Sequence, residues 1–225
     1  MGDTRYETYL RKEWQAFFSD PSRAQASIDA ARGTQVLRLL DVGCGAGQEM
    51  APFTAQGAFG AGVDVSPEAG PLARRLFDEL QPRCRVAFVG AAAERLPFAS
   101  ESFDLVICRV ALPYMDNQRA LAEMSRVLRP AGLLLLKIHH ARYYIRQFSL
   151  ALRRGMVRSM VHATRVLISG ILYSLLGRQV LRSVLGNEIF QTRRSLQRAV
   201  HPMRIRGEMA GSRLDTPAFA IEKQC

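Results

Sequence analysis

The sequence predicts an α/β protein built on a doubly wound, mostly parallel β-sheet. Short apolar runs alternate with helical patterns between residues 36 and 140, which is typical of parallel strands joined by crossover helices. The first of these runs ends in a glycine-rich turn, as a buried strand does where the chain must reverse closely. The chain has 225 residues, 48% of them hydrophobic, which is enough for one core but not for two large ones.

Seven strands and their connecting helices can be placed from residue patterns alone. Aromatic residues recur at three-to-four spacing over 3–31, so we expect a helix there and a second one opening at Pro21. Five apolar runs are predicted as strands, namely 36–43, 58–66, 83–90, 103–110 and 132–140. Helices are predicted over 46–57, 66–80 and 116–128, the last stopped by Pro130 and Gly132. Beyond them we expect a helical insertion over 142–185, a helix over 188–201, and two closing antiparallel strands within 201–210 and 216–224.

The net charge of +11 comes from one part of the chain. Residues 1–140 carry 16 basic and 16 acidic side chains, whereas residues 141–207 carry 13 arginines and a single acid, Glu188. A partner for this basic and apolar stretch would be a membrane surface, an anionic substrate or nucleic acid. Its uncharged run, 166–177, is shorter than the about 20 residues that a membrane span needs, so we predict no transmembrane segment.

Several roles remain open for the helical insertion. It can be a lid over an apolar acceptor pocket, an interfacial helix in peripheral contact with a membrane, or a packing and dimerisation surface. Nucleic-acid binding is a rival hypothesis, in which arginines contact phosphates while Tyr143, Tyr144 and Tyr173 stack on bases. That hypothesis is disfavoured because the stretch is more apolar than a typical electrostatic arm.

The most informative motif is a glycine-rich turn that follows the first predicted strand. It reads Asp41-Val42-Gly43-Cys44-Gly45-Ala46-Gly47. Glycine is needed where the backbone turns tightly and approaches a ligand closely. A dinucleotide-binding fingerprint requires G-x-G-x-x-G, and Gln48 occupies its last position here. The spacing is instead G-x-G-x-G, with an acidic residue two positions before the first glycine.

Three segments together resemble the class I S-adenosylmethionine (SAM) dependent methyltransferases. The closest branch is that of the ubiquinone and sterol methyltransferases, also called methyltransferase type 11, which act on small molecules. The segments are LLDVGCGAGQ, GVDVSPEA, and AERLPFASESFDLVICRVALPYM followed by ALAEMSRVLRPAGLLLL. The resemblance covers about residues 36–140. It implies a seven-stranded, mostly parallel sheet of the Rossmann-like methyltransferase type, with SAM as the cofactor.

The resemblance also implies where SAM would bind. The backbone of the glycine turn would line the methionine part of SAM; this set is Asp41, Gly43, Cys44, Gly45 and Gly47. Asp64 ends the second strand beside Val65, and its carboxylate can accept hydrogen bonds from both ribose hydroxyls or, alternatively, cap a helix.

The adenine end departs from the family pattern. Where the family carries an aspartate that receives the adenine amino group, this chain has Ala92, so the Ala93 backbone is the expected contact. Glu94 is predicted either to replace the missing acceptor or to remain a solvated acid. Arg109 completes the predicted cofactor-binding set, and it either holds an anionic group or pairs with a helix carboxylate.

Methyl transfer requires alignment of the acceptor and, for some acceptors, removal of a proton. In this chain the family's acceptor-facing positions include the catalytic candidates Tyr114, His139 and His140, together with the aromatic cluster 14–18. Either histidine can act as a general base near neutral pH, or both are strand-end residues bonded to the backbone. Amino-directed base methylation is disfavoured because Ala111-Leu112-Pro113-Tyr114 offers no polar acceptor, and no clustered carboxylates indicate a metal site.

The predicted function is therefore SAM-dependent methyl transfer to a small, apolar or partly anionic acceptor. The alternatives are an RNA-directed methyltransferase or basic RNA-binding protein, and a SAM-binding regulator without turnover, which the Ala92 departure suggests. We divide the chain into an N-terminal acceptor lid (1–35), a SAM-binding core (36–141), the basic insertion (142–187) and a closing segment (188–225). The charged N-terminus without an apolar segment favours a cytoplasmic protein, with peripheral membrane contact as a further option.

Overall fold

One seven-stranded sheet organises the protein. The computed structural model describes residues 4–180, 184 and 186–224. The strands are β1 Arg38–Val42, β2 Phe59–Asp64, β3 Arg85–Gly90, β4 Phe103–Arg109, β5 Leu128–Lys137, β6 Arg204–Glu208 and β7 Ala218–Glu222. They lie in the order β3-β2-β1-β4-β5-β7-β6. β7 runs antiparallel to both of its neighbours, whereas β1 to β5 are parallel. This confirms the predicted fold class and the two closing strands at one end of the sheet.

Both faces of the sheet are covered, as the continuous apolar runs predict. Within β1, Leu40 and Val42 belong to one hydrophobic cluster and Leu39 belongs to the other. Successive strand residues point to opposite faces, so the alternation places Asp41 on the same side as Leu39. Asp41 is thus a carboxylate at the end of an otherwise apolar central strand, which is unusual unless it serves a ligand.

Eight helices pack around this sheet in the described part of the chain. They are α1 Arg5–Phe18, α2 Pro21–Ala30, α3 Ala51–Thr54, α4 Ala69–Leu80, α5 Asn117–Val127, α6 Ala141–Arg153, α7 Val157–Leu176 and α8 Arg193–Ala199. α3 is much shorter than the helix predicted over 46–57, because the chain leaves the glycine turn as a 3₁₀ turn, Gln48–Met50. β5 begins before Pro130 and Gly132, because Leu128 already pairs with Phe103 ahead of a register shift.

The basic insertion is a helical hairpin formed by α6 and α7. The chain turns between the two helices at Gly155, which adopts φ 65°, whereas Gly170 lies inside α7. A side chain at position 170 would collide with the ring of Phe190, which packs there. Parts of the predicted insertion, 181–183 and 185, lie outside the described residues.

The helix that contains nearly all of the uncharged run 166–177 is longer than that run. α7 has 20 residues, and by length and composition it is apolar enough to cross a membrane. The uncharged run is shorter than α7 because the helix also includes the segment that contains Arg158 and Arg165. One side of α7 nevertheless packs on the domain, with Val166 and Tyr173 buried.

A cavity at the carboxyl ends of the parallel strands

A cavity of about 690 Å³ opens where β1, β2, β4 and β5 end. Parallel α/β sheets bind ligands at this edge, next to the point where the strand order reverses. The lining residues come from α1, the glycine turn and the strand ends: Tyr6, Tyr9, Leu10, Glu13, Arg23, Asp41, Gly43, Cys44, Gly45, Gln48, Glu49, Val63, Asp64, Val65, Ala91, Ala92, Ala93, Glu94, Arg109, Val110, Ala111, Tyr114, Met115 and Lys137. This set includes every predicted cofactor-binding residue except Gly47.

The glycine turn is held against the end of β2. Gly43 adopts φ 69°, and a β-carbon there would lie 2.4 Å from the Ala111 side chain, so only glycine fits. The backbone N–H groups of Gly43 and Cys44 both donate to the carbonyl oxygen of Val63, at 2.8 and 3.0 Å. The turn is thus fixed by backbone contacts on one side and lines the cavity on the other.

The Asp64 side chain links the glycine turn to the segment that follows β2. Its Oδ2 accepts a hydrogen bond from the Gly45 N–H at 3.0 Å, and its Oδ1 accepts one from the Ser66 N–H at 2.9 Å. Each carboxylate oxygen has a second lone pair, so these backbone bonds leave acceptor capacity for a ligand. The alternative role predicted for Asp64, as a helix cap, is wrong, because α4 begins at Ala69 and its N-cap residue is Glu68. Asp64 instead fixes the glycine turn and keeps lone pairs for a ligand.

Unpartnered buried acceptors cluster around the same turn. Asp41 Oδ2, Gln48 Oε1 and Glu49 Oε2 are all buried without a hydrogen-bond partner, and all three residues line the cavity. Burial, reinforced by Glu49 and Asp64, holds the pKa of the Asp41 carboxyl well above its usual range. Orphaned buried acceptors are costly for a protein, and a cationic, hydrogen-donating ligand would satisfy them.

The charge of the lining favours a cationic ligand. Five carboxylates face three cations: Glu13, Asp41, Glu49, Asp64 and Glu94 against Arg23, Arg109 and Lys137. Glu49 Oε1 lies 3.2 Å from Arg23 Nη2 and 3.3 Å from Arg109 Nε, so one buried carboxylate bridges both arginines. Arg109 thus takes the second of its predicted roles, pairing with a carboxylate. Among the described residues, no carboxylate lies within ion-pair distance of Lys137 Nζ, and burial lowers the pKa of that amine.

Aromatic residues of α1 cover the cavity, but they are not the ones predicted. Trp14 and Phe17 are buried, Trp14 packing edge-on against Phe77, and neither lines the cavity. Tyr6 and Tyr9, one to two turns earlier, take that place. The helical phase of α1 decides the difference, because its most apolar face packs on α4. Burial raises the pKa of Tyr6 to about 12, so its hydroxyl stays protonated and can donate.

Of the three catalytic candidates, the structure places one at the cavity and two away from it. Tyr114 lines the cavity, and burial together with Glu188 raises its pKa to about 12. His139 and His140 do not line it. His139 is buried, its Nδ1 lies 3.0 Å from the Tyr144 hydroxyl, and desolvation lowers its pKa to about 4. His140 caps α6 by accepting a hydrogen bond from the Arg142 N–H. Their placement corrects the prediction of a histidine base, because neither ring reaches the cavity.

Two further predicted residues have structural roles. Gly47 does not line the cavity: it adopts φ 77°, and a side chain there would collide with Phe88. Glu94 lines the cavity, but its Oε1 accepts a 2.7 Å hydrogen bond from the Asp116 N–H, which anchors the start of α5. Glu94 is therefore an anchored acid rather than a solvated one, and its second carboxylate oxygen keeps the predicted role of replacing the missing acceptor at Ala92 as a prediction.

Sequence reasoning missed Gln48, Glu49, Val110 and Lys137 at this site. Glu49 carries a readable signal, since it is an acidic residue just after the glycine turn. Lys137 lies inside the strand predicted over 132–140, and only the structure shows that β5 ends there. Val110 has no signal in the sequence. It adopts φ 63°, a conformation that costs a β-branched residue about 1–3 kcal/mol and that clusters at functional sites.

Comparison with known proteins agrees with this geometry. Residues 40–136 match the family model described as a methyltransferase domain. The methyltransferase YcgJ of Bacillus subtilis, which is itself uncharacterised, is 36% identical over 105 residues, covering 46% of this chain and 41% of that protein. The O-methyltransferase rstn1 of Aspergillus nomiae is 38% identical over 101 residues, covering 44% of this chain and 45% of that protein. The chain thus matches less than half the length of these curated relatives.

Solved structures extend the similarity to the fold. The crystal structure of YcgJ superposes with a TM-score of 0.50 at 32% identity, covering 54% of this chain and 52% of that one. An S-adenosylmethionine dependent methyltransferase from Mesorhizobium loti superposes with a TM-score of 0.62 at 16% identity, covering 88% of this chain and 96% of that one. The family model thus identifies a methyltransferase domain in residues 40–136, and the solved structures share its fold.

Proposed function

We propose that the chain binds SAM in this cavity and catalyses methyl transfer to a small, largely apolar acceptor. The observation that carries the proposal is the surplus of carboxylates, with three orphaned buried acceptors, around the glycine turn. SAM carries a sulfonium and an ammonium group, and both are stabilised by such a lining. An anionic ligand at the same place would be repelled.

The residues present fit the cofactor part by part. Asp41, Gln48 and Glu49 offer oxygens for the ammonium group, and the Gly43–Gly45 backbone leaves room for the methionine chain. Asp64 retains lone pairs for the ribose hydroxyls. The segment Ala91–Ala93 forms an apolar wall suited to an adenine face, without a side-chain acceptor for its amino group. When bound, SAM supplies an electrophilic methyl group that needs no protein nucleophile.

The remaining wall defines the acceptor class. Tyr6, Tyr9, Leu10, Tyr114 and Met115 give the cavity an aromatic and apolar part, which Leu10 and Met115 extend up to the glycine turn. This surface would orient an apolar acceptor, which is the main contribution such a site makes to an in-line transfer. The protonated Tyr6 and Tyr114 hydroxyls can donate to an acceptor oxygen. Since Glu49 already binds both arginines, Lys137 is the cation left to meet an anionic acceptor group.

The acceptor atom is proposed by analogy to the relatives. Both rstn1 and cnsE of Penicillium expansum are O-methyltransferases by name, and they are 38% identical over 101 residues and 35% identical over 102 residues. We therefore infer an oxygen acceptor on a small molecule. RNA is a weaker alternative, because Tyr144 and Tyr173 are buried and so are not available to stack on bases.

Two measurements test the proposal. Calorimetric titration of SAM and S-adenosylhomocysteine should give binding that Asp64→Ala weakens at least about tenfold, because both the turn and the ribose lose an acceptor. Asp29→Ala, a half-buried acid on α2 that pairs with Arg32 and does not line the cavity, is the matched control and should leave the affinity unchanged. Incubation with methyl-labelled SAM should then release S-adenosylhomocysteine in the presence of a small-molecule extract. Binding without release from any extract would identify a regulator, and transfer only to total RNA would refute a small-molecule acceptor.

A further inference from the structure

α7 carries an apolar stripe that nothing in the described structure covers. The stripe consists of Val157, Val161, Ile168, Ile171 and Leu175, whose exposed fractions lie between 44% and 73%. Their spacing of three, four or seven residues places them on one side of the helix, over about 27 Å of its length. The opposite side of α7 is buried against the domain. The stripe is therefore an exposed face rather than part of the core.

Arginines border this stripe and lack carboxylate partners. Residues 141–176 contain six arginines and no acidic residue: Arg142, Arg146, Arg153, Arg154, Arg158 and Arg165. Among the described residues, only Arg146 lies within ion-pair distance of a carboxylate, that of Asp215 at 3.1 Å. Helical geometry puts Arg158 and Arg165 about 75–95° from the middle of the stripe, on one side of it. The face thus combines apolar area with uncompensated positive charge.

The turn between α6 and α7 repeats this combination. Leu152, Met156 and Val157 are 49–68% exposed at the turn, next to the exposed Arg153 and Arg154. A compact protein gains nothing from exposed apolar side chains at a helical tip, whereas a helix that lies in a lipid headgroup layer needs this composition.

We propose that the stripe and the neighbouring arginines dock the protein onto an anionic lipid bilayer, with α7 lying in the plane of the headgroups. Apolar side chains enter the boundary of the acyl chains while the arginines meet lipid phosphates. A second copy of the chain fits this face poorly, because pairing two stripes would bring arginines together without any carboxylate on the hairpin. RNA fits poorly because an apolar centre, without exposed aromatic rings, meets neither phosphates nor bases. Spanning is disfavoured because the opposite side of α7 packs on the domain.

Flotation of the full chain with vesicles tests the apolar part of this proposal. We expect binding to vesicles of phosphatidylcholine containing a quarter phosphatidylglycerol, and little binding to phosphatidylcholine alone. The double variant Ile168→Ser with Ile171→Ser should weaken the binding at least about tenfold, because it removes apolar area that enters the bilayer. Leu80→Ser with Leu214→Ser changes two other exposed leucines, 54% and 77% exposed, and should bind as the unmodified chain does.

A second pair of variants tests the charge. Arg158→Gln with Arg165→Gln should weaken binding to the anionic vesicles by about tenfold or more, since each arginine near the surface contributes about fivefold. Arg83→Gln with Arg85→Gln, on the exposed edge at β3, should have little effect. Circular dichroism and thermal unfolding of each variant establish that it is folded before its binding is compared.

The proposal is overturned by any of four results. The first is that the chain does not bind anionic vesicles, and the second is that the folded Ile168→Ser, Ile171→Ser variant binds them as well as the unmodified chain. The third is a concentration-dependent dimer that this variant abolishes. The fourth is salt-sensitive binding to RNA that is tighter than binding to vesicles. None of these results bears on SAM binding, which the calorimetric titration measures separately.

Discussion

Replacing Asp41 by asparagine should stabilise the free protein and weaken cofactor binding at the same time. Asp41 is 2% exposed and its Oδ2 has no hydrogen-bond partner; burial first, and then the charges of Glu49 and Asp64, disfavour its ionisation. Asparagine has the same shape and carries no charge. The change therefore removes an energetic cost from the free protein and an anionic acceptor from the cavity.

The magnitude follows from the cost of an unsatisfied buried acceptor, which is about 1–3 kcal/mol. We expect Asp41→Asn to raise the free energy of unfolding by that amount at pH 7.5, or Tm by about 2–4 °C per kcal/mol. The pKa of Asp41 is raised in the folded state, so the folded protein holds this proton at pH values where the unfolded chain has lost it. Stability of the unmodified protein should therefore fall, relative to the variant, as the pH rises above about 4.

Urea unfolding at pH 4.5 and 7.5, with calorimetric titration of S-adenosylhomocysteine, measures both effects. Loss of a charge-assisted hydrogen bond should lower the affinity about ten- to hundredfold. Asp104→Asn is the matched control: Asp104 is equally a strand carboxylate, but it accepts from the N–H groups of Leu37 and Arg38 and pairs with Arg129 at 2.6 Å. That variant should lose about 1–2 kcal/mol. If Asp41→Asn destabilised the protein as Asp104→Asn does, or bound the ligand unchanged, the reasoning about orphaned acceptors would be wrong.

Three further predictions concern the scaffold of the site. Gly43→Ala should lower the free energy of unfolding by about 2–4 kcal/mol, whereas Gly33→Ala, also at positive φ but in open space, should lose only about 1 kcal/mol; equal losses would remove the steric argument. Glu49→Gln leaves two arginines without their shared carboxylate and should cost about 2 kcal/mol in urea unfolding, against almost nothing for Asp29→Asn in an exposed pair. His139 stays neutral when folded, with a pKa of about 4, so stability should fall as the pH drops from 6.5 to 4; His139→Gln should remove about 3 kcal/mol of that fall, and parallel pH profiles would contradict the burial of this ring.

The sequence was sufficient to predict the sheet and the acidic, glycine-lined half of the cavity. Strand periodicity and turn chemistry are local properties, and both Gly43 and Asp64 follow directly from a strand end. The strand order places these two ends side by side, so Gly45 donates to Asp64 although the two residues are 19 positions apart. Asp41 is found by the same reasoning, because a carboxylate inside an apolar run is conspicuous without any structure.

The side of the cavity that is proposed to bind the methyl acceptor was less predictable, because its residues are placed by helical phase and packing. The aromatic spacing in α1 identified a helix, but only its packing on α4 decides that Trp14 is buried and Tyr9 faces the cavity. His139 and His140 end the expected strand, yet the entry of α6 turns both rings away from the cavity. The link from Arg109 to Glu49 joins residues 60 positions apart, and no local pattern reports it.

The most direct test of the whole account is a crystal structure of the chain grown with S-adenosylhomocysteine. We expect electron density for S-adenosylhomocysteine along the cavity, with its ammonium group beside Asp41 and Glu49, its ribose at Asp64 and its adenine against Ala91–Ala93. Density for the ligand outside this cavity, or an empty cavity at a ligand concentration that saturates binding in solution, would contradict it.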